Sequence, residues 1–196
     1  WSIVKFADCL KDMICVLLQC TRAQLESQEF KETPLGEEWW VYQAKDTDWG
    51  FITDEEYLNL SVPQMTYWSI FKPTPRYLLQ TLGTEWGKMM ITPQIWINST
   101  FRGYIAKSQC ACGMCKPKTL PNWILTDTRF PEEKKAIEDR GGFNIRVNRG
   151  TGDTGNHPSE TALDNAEFKY IIRNDGTMED LINMVRDILI MENIIK

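Results

Sequence analysis

Between Trp123 and Glu133 a short apolar run, Trp-Ile-Leu-Thr, stops abruptly at Asp127-Thr128-Arg129 and gives way to Phe130-Pro131-Glu132-Glu133. Downstream, strand and helix periods alternate. Pro131 to Arg140 reads as a helix closed by Gly141-Gly142, Phe143 to Val147 as a second strand, and Tyr170 to Ile172 as a third. Strands that alternate with helices bury both faces of a parallel sheet, so this half of the chain is expected to form an α/β fold. In such folds ligands bind beyond the carboxyl ends of the strands, which is where Asp127 and Arg129 stand. If the strand continued through them, the two side chains would share one side of it. The pattern alone leaves a second reading, a strand edge carrying a solvated ion pair.

At 196 residues the chain can bury a core without staples. Its 22 basic and 27 acidic residues leave a net charge of -5, which gives no general attraction to a nucleic acid polymer or an acidic membrane. Basic residues that bind phosphate must therefore act locally. No signal peptide or apolar stretch of membrane-spanning length is visible, which suggests a cytoplasmic protein. Trp1 to Phe6 reads as a strand with no lead-in, as expected of a chain whose true beginning is missing. Cys9, Cys15 and Cys20 fall in an apolar stretch and are expected as buried small hydrophobes. Cys110, Cys112 and Cys115 form Cys-x-Cys-x-x-Cys, a weak zinc candidate if His157 or a water were the fourth ligand, and otherwise a redox or incidental cluster.

The first half is less regular. A helix is expected after a strand at Ile3 to Phe6, capped by Asp8 and carrying Leu10, Met13, Ile14, Leu17 and Leu18 on one face, and Thr21 is expected to cap another. From Glu29 to Tyr67 no period is clean, and Trp39, Trp40 and Trp49 lie among prolines and glycines, which reads as irregular structure or a substrate-side insertion. Thr74 and Pro75 suit the N-cap and first position of a helix that shows Tyr77, Leu78, Leu79 and Leu82 on one face and Arg76 and Gln80 on another. Ile95 to Tyr104 is expected as a further helix. Near the end, Thr177 suits the N-cap of a last helix running through Ile190, although Asp180 is a short acid for reaching back to the cap amide.

Several of these residues suit phosphate chemistry. A carboxylate at Asp127 can orient Mg²⁺-bound water, and the guanidinium of Arg129 can grip two phosphoryl oxygens. Arg76 offers a second clamp, with Gln80 and Glu85 able to read a sugar or base edge. The glycine-rich loop from Arg149 to Glu160 can close over a substrate, bringing Arg149 to a transferring phosphoryl group. A mobile surface loop in which His157 and Glu160 form a cap or ion pair is the alternative.

Taken in order, Phe6-Ala7…Leu10-Lys11, Arg76-x-Leu78-Leu79-Gln80-x-Leu82-Gly83-Thr84-Glu85, Asp127-Thr128-Arg129-Phe130-Pro131, His157-Pro158-Ser159-Glu160 and Ile172-x-Asn174-x-Gly176-Thr177 resemble bacteriophage deoxynucleoside monophosphate kinases. The resemblance implies a P-loop nucleoside monophosphate kinase fold, a three-layer α/β arrangement with a short parallel sheet. It implies transfer of the γ-phosphoryl group of ATP, with Mg²⁺, to a deoxynucleoside monophosphate. Phe6 and Lys11 would lie near that substrate, and Arg76, Gln80, Glu85, His157 and Glu160 would help hold it. Asp127, Arg129 and Arg149 would face the transferring phosphates, and Asn174 and Gly176 would form the turn near the adenine. The chain would be one kinase-like domain, with residues 29–67 as a substrate-side insertion and 149–163 as a lid-like loop. A homodimer is compatible with this, the oligomeric state being open. The sequence departs from the family in one respect: it has no first strand with Gly-x-x-x-x-Gly-Lys-Ser/Thr, the loop that cradles the donor's phosphates. Position 9 is also Cys where Pro is frequent. A more distant likeness, through Asp127-Thr128-Arg129 and Ser159-Glu160, is to phosphomevalonate kinase, and a nucleotide-binding module without catalysis is a third reading.

Overall fold

The alternation expected after Trp123 forms the frame of one of two compact units. A computed structural model describes residues 1–46, 50–104, 120–150 and 161–196. The first unit combines Trp1–Phe6 with Ile97–Lys196, and the second is Ala7–Trp96.

In the first unit β1 (Ser2–Val4) pairs in parallel with β5 (Trp123–Leu125), Ile3 opposite Ile124, while β6 (Ile145–Asn148) pairs in parallel with β7 (Tyr170–Arg173). Helix α8 (Pro131–Glu138) connects β5 to β6, and α9 (Met178–Met191) comes after β7. Helix α8 stops where Gly142 N–H donates to the Ile137 carbonyl and Gly141 N–H to that of Glu138. Gly141 sits at φ +80°, the left-handed turn that a residue without Cβ adopts at least cost. Phe6, Ile97, Phe101, Ala136, Ile172 and Ile188 are the buried apolar anchors. The Phe101 ring meets Phe6 edge-on at 5.9 Å and stacks near Trp123 at 6.0 Å, with the Arg140 guanidinium 4.0 Å from its centroid.

Asp180 does reach its cap. Its Oδ2 accepts the Thr177 N–H at 2.8 Å while Thr177 Oγ1 accepts the Asp180 N–H at 3.2 Å, a closed capping box. These bonds hold the Asp180 carboxyl below its ordinary value, the Thr177 hydroxyl contributing most. Lys169, and then Tyr170, do the same for Glu192 at the other end of α9. A carboxyl depressed in the folded state makes the unfolded chain the better proton binder. Stability from these groups is therefore full above about pH 4 to 5 and lost as pH falls through the folded values. Thermal melts taken from about pH 6 down to about pH 3 should fall, and Asp180→Asn should flatten part of that slope. An unchanged slope in the variant would remove the cap from the account.

In the second unit Leu10 and Ile14 of α1 (Asp8–Leu18) pack on α6 (Pro75–Gln80), with α2 (Arg22–Glu26) and α3 (Gln28–Glu32) alongside. Ile14 and Leu25 are fully buried, each worth about 1.5–3 kcal/mol by area. Thr21 and Thr74 cap α2 and α6 as expected. Asp8 does not cap α1: Ala7 holds the N-cap position, and Asp8 lies inside the first turn, where it pairs with Arg22 at 2.7 Å. The three early cysteines are not buried either. Cys9 is exposed and Cys15 and Cys20 are half-exposed, because α1 turns Leu10 and Ile14 inward. Cys20 N–H closes the helix end on the Cys15 carbonyl at 3.0 Å, and burial, then a hydrogen bond to the Cys15 thiol, raise the Cys20 pKa.

Among its described residues, which exclude Trp49, the stretch without clean period carries regular elements. β2 (Val41–Ala44) pairs antiparallel with β3 (Phe51–Ile52) and β4 (Trp68–Phe71), with short helices α4 (Asp54–Leu58) and α5 (Val62–Met65) between β3 and β4. Tyr42 stacks flat on Tyr57 at 3.7 Å, and Phe71 meets Tyr77 of α6 edge-on at 4.8 Å. Strands of two to four residues are too short to display a period, which explains the missing signal.

After α6 the helix widens into a π-helical segment, Thr81–Ile91, before α7 (Ile95–Phe101). Trp96 Nε1–H donates to the Gly83 carbonyl at 2.8 Å, and a Cβ at Gly87 would stand 2.8 Å from both the Leu82 carbonyl and the Trp96 ring. A buried indole thus fits against the segment only where side chains are missing. Gly87→Ala is expected to cost roughly 1–3 kcal/mol, since one of the obstructing atoms is backbone. Denaturant unfolding measures this, and a change of less than a few tenths of a kcal/mol would contradict it.

Candidate functional site at the ends of the parallel strands

β5 ends at Leu125, and residues 126–129 leave the ladder before α8 begins. Asp127 and Arg129 are therefore not two residues of one extended strand. The Asp127 carboxylate is half-buried and accepts the Phe6 N–H at 2.9 Å, tying the end of β1 to the end of β5. Arg129 is exposed at the side chain and held at the backbone. Its N–H donates to Glu133 Oε2 at 2.9 Å, and the next amide, Phe130, donates to the same oxygen at 3.2 Å. Glu133 is only 3% exposed.

Sequence reasoning missed Glu133. The usual capping signature places Ser or Thr three residues before the acid, and here that residue is Phe130, which has no side-chain acceptor. Only the returning half of the box exists, from Glu133 back to the backbone. Proline at the first helical position with Glu at the third was the signal available.

At the ends of β6 and β7 the Asn174 N–H donates to the Asn148 carbonyl at 2.8 Å, and a Cβ at Gly150 would stand 3.6 Å from Asp175 Oδ1. Arg149 is exposed on this joined rim, with Asn174 half-buried and Gly176 exposed beside it. The first unit thus brings Phe6 together with Asp127, and Asn174 together with the end of β6. His157, Glu160 and the three cysteines Cys110, Cys112 and Cys115 lie outside the described residues.

The other expected residues belong to the second unit, where the cations already have acidic neighbours. Lys11 Nζ lies 2.6 Å from Glu26 Oε1, while Arg76 pairs through Nε with Glu32 and donates from Nη2 to Gln28 at 3.1 Å. Sequence reasoning did not anticipate Glu26, Gln28 or Glu32, which approach only because α2 and α3 fold against α1 and α6. Gln80 closes α6, and Glu85 is half-buried in the π-helical segment. Lys88, one helical turn on, is buried, and no sequence pattern marks a lysine for that. Among the described residues no three His, Cys, Asp or Glu side chains converge into a metal site, and no helix is long and apolar enough to cross a membrane.

A strand-end carboxylate anchored to the neighbouring strand, an arginine on a fixed backbone and a glycine-containing rim suit recognition of a phosphorylated ligand. The family profile of deoxynucleotide monophosphate kinase matches residues 10–185, nearly the whole chain. The chain belongs to that family. Its α/β fold, with small parallel and antiparallel sheets among helices, is that of a nucleoside monophosphate kinase-like core. Deoxynucleotide monophosphate kinase of Escherichia phage RB69 is 29% identical over 126 residues, covering 62% of this chain and 45% of the relative. The alignment therefore spans less than half the length of the phage RB69 protein.

Proposed function

We propose that the protein transfers the γ-phosphoryl group of ATP to a deoxynucleoside 5′-monophosphate, giving the diphosphate. The observation that carries this reading is the family match across residues 10–185, which includes Arg76, Asp127, Arg129 and the rim at Asn174. The chain is read as one kinase-like domain with residues 29–67 as a substrate-side insertion and 149–163 as a lid-like loop.

Catalysis of phosphoryl transfer is mainly positioning and charge stabilisation, and the residues divide along those lines. Lys11 and Arg76 bind the acceptor's phosphate by exchanging their present partners Glu26 and Glu32 for phosphoryl oxygens, while Phe6, Gln80 and Glu85 orient the nucleoside. His157 and Glu160 hold the acceptor from the lid. Arg129 and Arg149 balance charge that develops on the transferring group. Asn174 and Gly176 border the adenine. Asp127 would help hold the Mg²⁺ that comes with ATP, which would supply neutralisation of phosphate charge. The hard oxygens of Asp127 suit that ion, which is usually held by one or two carboxylates with substrate phosphates and water. A cytoplasmic setting is part of the same reading.

Isothermal titration with each deoxynucleoside monophosphate in turn tests the acceptor side. Saturable binding is expected for at least one, with Arg76→Ala weakening it by about tenfold or more. Binding no tighter than that of the deoxynucleoside without phosphate, or tighter binding of phosphomevalonate, would overturn the proposal.

A further inference from the structure

Helix α1 is stopped by a residue other than glycine. Gln19 takes the left-handed conformation, φ 50° and ψ 40°, directly after Leu18. Its N–H donates to the Val16 carbonyl at 3.4 Å and the Cys20 N–H donates to the Cys15 carbonyl at 3.0 Å, the two bonds of a Schellman turn. In that turn the side chains at the two ends meet, a contact that apolar residues usually supply. Here both ends are cysteine. The Cys20 thiol is hydrogen-bonded to that of Cys15.

The backbone spacing suits a covalent bond. A 3.0 Å bond from Cys20 N to Cys15 O holds the two Cα atoms within about 7 Å by standard backbone lengths, and disulfides span about 4.4–6.8 Å. Both residues are half-exposed, so a small reagent reaches them. Cys9 is set apart, about 9 Å before Cys15 along the α1 axis and beyond that span. The pair also stands at a corner. Thr21 is the N-cap of α2, whose Arg22 and Glu26 reach back to Asp8 and Lys11 of α1.

We propose that Cys15 and Cys20 are a redox modification site, closing a reversible disulfide across the corner between α1 and α2 when the chain meets a small-molecule disulfide such as oxidised glutathione. Cys15, as thiolate, attacks one sulfur of the reagent and releases one glutathione thiolate. Cys20 then gives up its proton, attacks the Cys15 sulfur and expels the second glutathione. Two protein thiols lose two electrons and two protons, and one glutathione disulfide becomes two glutathione thiols. Burial, and then the bond to Cys15, hold the Cys20 proton, which makes Cys20 the second to react. Under reducing conditions the pair stays as thiols, and excess thiol reopens the bond. The site staples the end of α1 to the start of α2 and stands whether or not the phosphotransfer reading does.

The test uses the 196-residue chain, exposed to oxidised glutathione, quenched with acid, alkylated and cut with trypsin. Cys15 and Cys20 fall in one tryptic peptide, residues 12–22, and Cys9 in another, residues 6–11. The first is expected unalkylated and about 2 Da lighter than the dithiol, with the second not joined to it. In Cys20→Ser, Cys15 should carry one glutathione that dithiothreitol removes. Because the turn places the thiols, closure should become at least about tenfold less favourable in urea. The oxidised chain should melt at least about 2 °C above the reduced one, a difference that Cys20→Ser abolishes. Alkylation of both cysteines after oxidation, a bond from either to another cysteine, equal closure in urea, or an oxidised chain that melts no higher than the reduced one would overturn the proposal.

Discussion

Replacing Glu133 with alanine is expected to destabilise the protein by about 2 to 4 kcal/mol, although neither the sequence nor the usual capping rules single the residue out. The variant strands the N–H groups of Arg129 and Phe130, which Glu133 Oε2 accepts at 2.9 and 3.2 Å, and empties a position only 3% exposed. Glu133→Gln, which keeps a carbonyl oxygen at the same reach, should recover more than half of the loss. The same two variants report on Arg129. Its backbone is held by Glu133, so the proposed phosphoryl transfer should fall in Glu133→Ala even where the protein remains folded, and fall less in Glu133→Gln. Chemical denaturation with a parallel rate measurement checks both. Equal stabilities for the alanine variant and the natural protein would show that the buried carboxylate is dispensable.

Asp127→Asn separates structure from chemistry. Asparagine retains an Oδ1 that accepts the Phe6 N–H, now 2.9 Å from Asp127, so stability is expected to stay within about 1 kcal/mol. The negative charge is lost, and with it a group suited to Mg²⁺, so on the proposed function the rate of transfer should drop by about 100-fold or more. Asp127→Ala loses both, adding about 1–2 kcal/mol of destabilisation as the ends of β1 and β5 come apart. An Asp127→Asn enzyme with near-natural turnover would restrict Asp127 to holding the strands together.

The parts legible in the sequence were those governed by local chemistry. Thr21, Thr74 and Thr177 announced their helices because an N-cap is a short-range bond between a side chain and the next turn. The strand, helix, strand order after Trp123 was legible because its apolar runs are bounded by Pro131 and by Gly141-Gly142. Three features were hidden for different physical reasons. The β2, β3, β4 sheet has strands too short for a period, and its order comes from contacts such as Tyr42 on Tyr57. The π-helical widening at Thr81–Ile91 is met by Trp96 of a later helix, a contact with no fixed sequence spacing to announce it. The cysteines of α1 sit in an apolar sequence but on its outward faces.

For the candidate site, Asp127 and Arg129 were correctly placed after a strand, while their supports were not visible. Asp127 is tied to Phe6, and Arg129 depends on Glu133. Lys11 and Arg76 were legible as cations, but Glu26 and Glu32 reach them only through the packing of α2 and α3. Tertiary neighbours of this kind leave no trace at fixed sequence spacing.

The most direct test of phosphoryl transfer is a coupled assay of ADP formation by the protein expressed from its complete gene, with Mg-ATP and each deoxynucleoside monophosphate in turn. Stimulation by one or more of these acceptors, reduced by about 100-fold or more in Arg129→Ala, is the predicted result. ADP formation that no deoxynucleoside monophosphate stimulates would contradict it.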